Sequence, residues 1–478
     1  MSNVPTVLPT IDCGLRIADC GLKNSNGKSN GKTSALFNPK SEIRNPKLPL
    51  VPIVLMFVLM LASVAFGEER NPPPEFDNGH ELPALTQPAP RAESLQYVDL
   101  AALVVALSLA SYLAIRRRSR AGMFALMIAC IAYFGFYREG CICPIGAIQN
   151  VAMAVFDNSY AVPLTVLAFF ALPLAFALAF GRTFCAAVCP LGGVQDLVAL
   201  KPVTVPAWLE HSLGLLPFVY LSVAVLLAAT GSAFIICQYD PFVAFFRRNG
   251  AWEMLTIGAI ILVVGVFVAR PYCRFACPYG AILRVLSRLS WKHATITPDR
   301  CVQCRLCEGV CPFGAIEKPT TPAPASRRLA GKWTLAAAIV ATPILVAVGA
   351  FSAKQLAGVT AQVNPTVALA RQVFMEDNGQ TDEPTLASAA FRASGGEADE
   401  LYKQAGKIEA RHETGLLWVG GFLGLVLGCK IVSLSIRRTR TEFTIEAGRC
   451  VSCARCFRAC PMERARKKVA SKTVASSQ

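Results

Sequence analysis

The chain has 478 residues, long enough for roughly three soluble domains, yet 54% of it is hydrophobic, 16% is charged and the mean hydropathy is +0.45. Several apolar runs reach the ~20 residues that a membrane helix needs, which excludes a string of soluble domains. The formal net charge of +16 does not point to nucleic acid, because the Lys and Arg sit in short clusters beside the apolar runs, where basic residues mark the inner membrane flank.

In chain order, residues 1–46 repeat DCGL from Asp12 and Asp19 and NPK from Asn38 and Asn45. So few apolar residues separate these repeats that no core forms. The segment reads as a disordered extension or a start codon placed too early, and Cys13 and Cys20 are poor ligands. Residues 47–67 resemble a leader, with an apolar stretch over 48–61 and small-residue cleavage sites near Ala65 and Gly67; an uncleaved anchor is the alternative. Residues 68–97 are a short exported strap.

Membrane spans are predicted at 98–115, 122–137, 163–180, 213–230 and 255–269, forming a domain over 98–300, and at 333–350 and 415–434. Arg116, Arg182, Arg270, Arg274, Arg328, Lys332 and Arg438 then flank one side, the cytoplasmic one. Arg138, Arg247 and Arg248 fall on the opposite side, and short re-entrant loops would account for them. The loop 351–414 is exported; Asn364-Pro365 starts a helix and Gly395-Gly396 marks a turn. Ala357-Gly358-Val359-Thr360 echoes an FMN attachment sequence, a match too short to carry an assignment.

Two motifs dominate what remains. Cys301, Cys304, Cys307 and Cys311 stand as C-x2-C-x2-C-x3-C before Pro312, within 301–318. Cys450, Cys453, Cys456 and Cys460 repeat that spacing before Pro461, within 441–463, ahead of a basic tail at 464–478. C-x2-C pairs also suit zinc, but the doubled full run ending in Cys-Pro is the bacterial ferredoxin signature for [4Fe–4S] clusters. In that arrangement the fourth Cys serves the other cluster, which pairs Cys301, Cys304 and Cys307 with Cys460, and Cys450, Cys453 and Cys456 with Cys311. The fold expected is an all-α polytopic membrane protein of about seven spans with a split ferredoxin-like 2[4Fe–4S] module on the cytoplasmic side.

Further Cys-Pro loops form an internal repeat. Cys141-x-Cys143-Pro and Cys185-x3-Cys189-Pro each run on into a Gly and then a Gln, and Cys273-x3-Cys277-Pro follows later. Proline withholds a backbone donor and glycine lets the chain turn closely. Cys185, Cys189, Cys273 and Cys277 share the inner side, where they form either a third thiolate-bound centre or a fold-determining turn with free thiols. Cys141, Cys143 and Cys237 fall on the outer side, as an outer redox site or a structural disulfide with one thiol left over. Cys130 and Cys429 lie inside spans and read as packing residues. The histidines are only His80, His211, His293 and His412, with no C-x-x-C-H, so haem is not expected.

Repeated C-x3-C-P loops after spans, joined to two four-Cys runs, resemble the membrane polyferredoxins typified by NosR and NapH, with the copper-oxidase assembly factor CcoG a more distant relative. The resemblance covers roughly 98–461. It implies a multi-pass protein of the bacterial inner membrane, in contact with lipid, that passes electrons between a quinol pool or a cytoplasmic donor and an exported respiratory reductase, nitrous oxide reductase in the case of NosR. A metal (copper) reductase serving oxidase assembly and a redox-sensing regulator are the alternatives. The chain departs from NosR in lacking room for a large exported flavin domain at 68–93. Its two ferredoxin runs are also separated by two spans and a loop.

Overall fold

The computed structural model describes residues 92–466, except 141–143, 159, 249, 297–300, 321–324, 382–383 and 437. Cys13, Cys20, the leader-like segment, Cys141, Cys143 and most of the basic tail lie outside the described residues. Among the described residues, five helices are long and apolar enough to cross a membrane: Ser94–Arg116, Arg120–Tyr137, Ala207–Ala229, Ala330–Lys354 and Ala398–Ser435. Pro241–Arg247 and Trp252–Phe267 make a sixth if counted as one span, but they meet at 104°, and Leu164–Phe180 is an apolar helix of 17 residues. The stretch expected to cross at 255–269 is therefore part of a bent pair. The bend falls between Arg247 and Trp252, where Arg248 ends the first helix with left-handed backbone at φ +55°; Asp240, whose carboxylate accepts from the Phe242 amide, caps the start of that helix ahead of Pro241.

Arg138 pairs at 2.9 Å with buried Asp99 of the first span, which also accepts from the Tyr133 hydroxyl at 2.7 Å.

The last two spans form a hairpin whose helices touch backbone to backbone. A Cβ on Gly420 would lie 2.1 Å from the Gly349 carbonyl oxygen, and one on Gly424 would lie 2.2 Å from that of Leu345. Small residues four apart let membrane helices approach in this way, since lipid offers no hydrophobic drive to bring them together. Ala398–Ser435 is 38 residues long, so it extends well beyond the span expected at 415–434. Its first turns pack with Pro365–Asp377 around a small core of Val367, Ala370, Val373, Leu401 and Ala405. Asn364 caps Pro365–Asp377 and donates to Ser232 at 3.2 Å; Ser232 also bonds the fully buried His412 at 2.9 Å. These bonds tie the 351–414 segment to the end of the Ala207–Ala229 span.

Strand β1 (Ile316–Glu317) pairs antiparallel with β2 (Thr444–Ile445), joining the two ferredoxin runs across the hairpin that separates them in sequence. Leu107 and Met127 of the first spans, Val188 and Tyr279 of the Cys-Pro loops, and Phe313, Val451 and Phe457 of the runs belong to a single buried core. The module is thus built onto the membrane helices. It is not a tethered domain.

Candidate iron–sulfur site

The two four-Cys runs fold alike, residue for residue. Gln303 and Arg305 have φ of +51° and +63°, and Ser452 and Ala454, at the same offsets, have +56° and +61°. Left-handed backbone at non-glycine residues is unfavourable. Alternating it with right-handed residues turns successive N–H groups inward, the concave arrangement that receives anions and Fe–S clusters. Short helices Leu306–Val310 and Arg455–Ala459 follow, ending at Cys311 and Cys460.

The thiols of the two runs neighbour one another across the module. Burial pushes the Cys307 thiol up to about 11, and Cys304, Cys301 and Cys460 are its thiol neighbours. Burial likewise pushes Cys450 up to about 12, with Cys453 and Cys311 as its neighbours. Cys456 is raised by burial and then by Cys450, Cys453 and Cys311, and it also feels Cys307 of the other set. Cys301, Cys304, Cys307 and Cys460 line a common cavity. Among the described residues no three His, Cys, Asp or Glu side chains converge on a single-ion site. Thiols spread around a space fit a polynuclear cluster better than one zinc ion, and buried thiols that raise one another ionise only against metal-borne positive charge. The Ser452 amide, which donates to Cys450 Sγ at 3.3 Å, would help hold such a thiolate.

Beneath the second run the inner Cys-Pro loops meet. Cys185 lies in a turn of π-helix, Phe184–Val188; Cys189 and Cys277 each precede a helix that opens on proline. Burial raises the Cys189 thiol, and Cys273, Cys185 and Cys277 add to the effect, so all four expected thiols are neighbours. Gly280 N donates to Cys277 Sγ at 3.3 Å, and Gln195 donates to Cys273 Sγ at 3.4 Å while accepting from the Tyr272 amide. Fully buried Asp196 binds Arg120 at 2.7 Å, Arg455 at 3.0 Å and Arg270 at 3.4 Å. Burial works against its ionisation, but Arg270, Arg455 and Arg120 outweigh that and hold the carboxyl below the usual range.

The outer loops repeat this plan. Gln149, six residues after Cys143 as Gln195 is after Cys189, accepts from the Ile236 and Cys237 amides at 3.0 and 3.3 Å. Cys237 Sγ would lie 3.0 Å from a Cβ on Gly146. Asp240 then stands before Pro241 where Cys277 stands before Pro278, and the Tyr272 hydroxyl donates to Asp240 at 3.4 Å. Sequence reading missed Asp196 and both glutamines, although the shared Cys-Pro-x-Gly-x-x-Gln was visible. Cys130 is buried, whereas Cys429, expected to be a buried packing residue, is exposed.

Residues 162–215 and 251–295 match one 4Fe–4S binding domain model, and residues 294–317 match a second. NirI of Paracoccus denitrificans is 28% identical over 218 residues, 42% of this chain and 31% of NirI. The 4Fe–4S domains and such relatives support a likeness to the membrane polyferredoxins. YccM of Escherichia coli, whose name assigns it provisionally to electron transport, is 25% identical over 189 residues, 35% of this chain and 52% of YccM. The regulatory protein NosR of Stutzerimonas stutzeri is 25% identical over 210 residues, 40% of the chain and 28% of NosR. The chain thus spans about a third of NirI and half of YccM. No solved structure matches it.

Proposed function

We propose that this protein carries electrons across the bacterial inner membrane, between a quinol pool or a cytoplasmic donor and an exported respiratory reductase or its maturation system. The carrying observation is a continuous series of contacts between thiol sets. Cys456 neighbours Cys307 between the runs, Arg455 binds Asp196 at the inner Cys-Pro loops, and Tyr272, beside Cys273, donates to Asp240, three residues past Cys237. The hydrocarbon core is ~30 Å thick, too wide for one direct hop, and a hydrogen bond between inner and outer loops shortens that gap.

In this reading the runs hold two [4Fe–4S] clusters with crossed ligation, and Cys185, Cys189, Cys273 and Cys277 hold a third thiolate-bound centre. Cys141, Cys143 and Cys237 complete an outer site, and no haem takes part. Such clusters supply one-electron oxidation and reduction when bound; the chain's own groups set the charge around them. Arg118, Arg120 and Arg182 contact Glu463, the Cys453 carbonyl and the Gly448 carbonyl of the second run, and these basic flanks support a cytoplasmic placing of that face. The segment 351–414 is then exported.

The test is transfer across a sealed membrane. Anaerobic proteoliposomes enclosing ferricyanide receive reduced ferredoxin or quinol outside, and bleaching inside is followed. Wild-type vesicles should bleach the dye. Cys273→Ala and Cys237→Ala should stop bleaching while the clusters of the two runs keep their electron paramagnetic resonance signals. Unchanged bleaching in both variants, or none with wild type, overturns the reading.

A further inference from the structure

Between the membrane hairpin, the Pro278–Arg288 helix and β2 lies a cavity of about 1070 Å3 that no cysteine set fills. Arg182 and Arg270, on its inner wall, have partners of their own: Arg182 donates to the Gly448 carbonyl at 3.2 Å and reaches Cys185 Sγ at 3.8 Å, and Arg270 pairs with Asp196 at 3.4 Å. The rest of the lining carries seven cations and three carboxylates. Each carboxylate is taken. Glu210 binds Arg274 at 2.9 Å, Glu446 binds Arg288 and Arg449 at 3.2 Å each, and Glu317 binds Arg440. Arg284, Lys430 and Arg438 have no carboxylate within 4.0 Å among the described residues.

Arg284 shows the strain of that surplus. Among the described residues it donates only to backbone carbonyls, Arg274 at 2.8 Å and Gly214 at 3.3 Å, and its buried Nε has no partner there. Burial first, then Arg182 and Arg288, push its pKa down to about 10. Like charges crowded in a partly closed space repel until an anion joins them. The wall opposite is apolar, made of Ile339, Pro343, Val432 and Leu434 from the two spans, with Ile339 and Leu434 exposed on the hairpin surface. A neutral quinone head would leave the surplus charge uncompensated. Basic pockets between spans at the membrane surface suit phosphate head groups.

We propose that this cavity binds a phosphate-bearing anion through Arg284 and Lys430, with the apolar wall receiving an attached acyl chain. The phosphate is the recognised group, whether it belongs to an anionic phospholipid or to a free phosphate compound. The site stands apart from the direction of electron flow.

The full-length protein in nanodiscs of phosphatidylglycerol and phosphatidylcholine is compared with protein in phosphatidylcholine alone, with and without inorganic phosphate, by thermal unfolding and by bound phosphorus per chain. Phosphatidylglycerol should raise the unfolding midpoint and copurify after detergent exchange. Removing the charges in Arg284→Gln and Lys430→Gln should weaken binding by roughly fivefold each, while Arg284→Lys should retain most of it. Stabilisation by phosphatidylglycerol alone identifies a lipid; equal stabilisation by inorganic phosphate identifies a free anion. Iron content, measured alongside, separates a binding loss from misfolding. No stabilisation by either anion, or stabilisation undiminished in the glutamine variants at normal iron content, overturns the proposal.

Discussion

Asp196 and Arg455 form a buried ion pair at 3.0 Å that fastens the second ferredoxin run to the Cys-Pro loop of the membrane domain. Arg120 and Arg270 share the same carboxylate. Asp196→Asn would leave three guanidinium groups around a neutral amide, and breaking a buried pair from one side costs about 3–5 kcal/mol. The expected result is a large fall in the unfolding midpoint and loss of cluster signal from the second run first. The pH dependence has a definite sign. The folded pKa lies below the unfolded value, so this contribution is present above the ordinary carboxylate pKa and vanishes only as pH falls through the depressed one. Midpoints of wild type and variant should therefore differ by a constant amount from pH 5 to 8.

Gly424 and Gly406 lie on one helix and should respond in opposite ways. Gly424→Val forces a side chain into the Leu345 carbonyl and should destabilise by about 1–3 kcal/mol or more. A Cβ at Gly406 meets nothing within 4 Å, so Gly406→Ala should stabilise by up to about 1 kcal/mol through helix propensity. Thermal unfolding of both variants in one detergent decides it; equal effects would show that the hairpin is not packed backbone to backbone.

The left-handed residues give a third test. Gln303→Gly relieves an unfavourable φ of +51° and should stabilise the first run by up to about 1 kcal/mol. Ser452→Val, with a β-branched side chain at φ +56°, should lose the second cluster more readily. Cluster bleaching half-times in air measure both.

Crossed ligation is tested by Cys311→Ser. Cys311 is the last cysteine of the first run but neighbours Cys450 and Cys453. Its replacement should spare the cluster of Cys301, Cys304 and Cys307 and remove or convert the one held by the second run. Loss of the first cluster instead would mean that each run closes its own.

The membrane class and the cysteine sets were legible because both depend on local rules, apolar run length and ligand spacing. The helix that starts at Asn364-Pro365 was legible for the same reason, since a capping side chain and a first-turn proline act within a few residues. What stayed hidden is long-range. Asp196 looks like one acidic residue in an apolar loop, and nothing nearby in sequence announces Arg120, Arg270 and Arg455. The bend between Arg247 and Trp252 was hidden too, because hydropathy counts apolar residues and does not register a change of direction. The partner of Arg138, Asp99, also stands far back in the chain, where no local pattern points to it.

The pairing of Ile316 with Ile445 also bears on how the protein is made. A chain emerging from the ribosome completes Cys311 long before β2 exists, and two spans must enter the bilayer in between. Iron delivered early would find an open loop, accessible to solvent and lacking its opposite wall. Closure of the module therefore reports that the last hairpin has been inserted with the correct orientation. A chain that stalls or inverts there cannot bring β1 and β2 together.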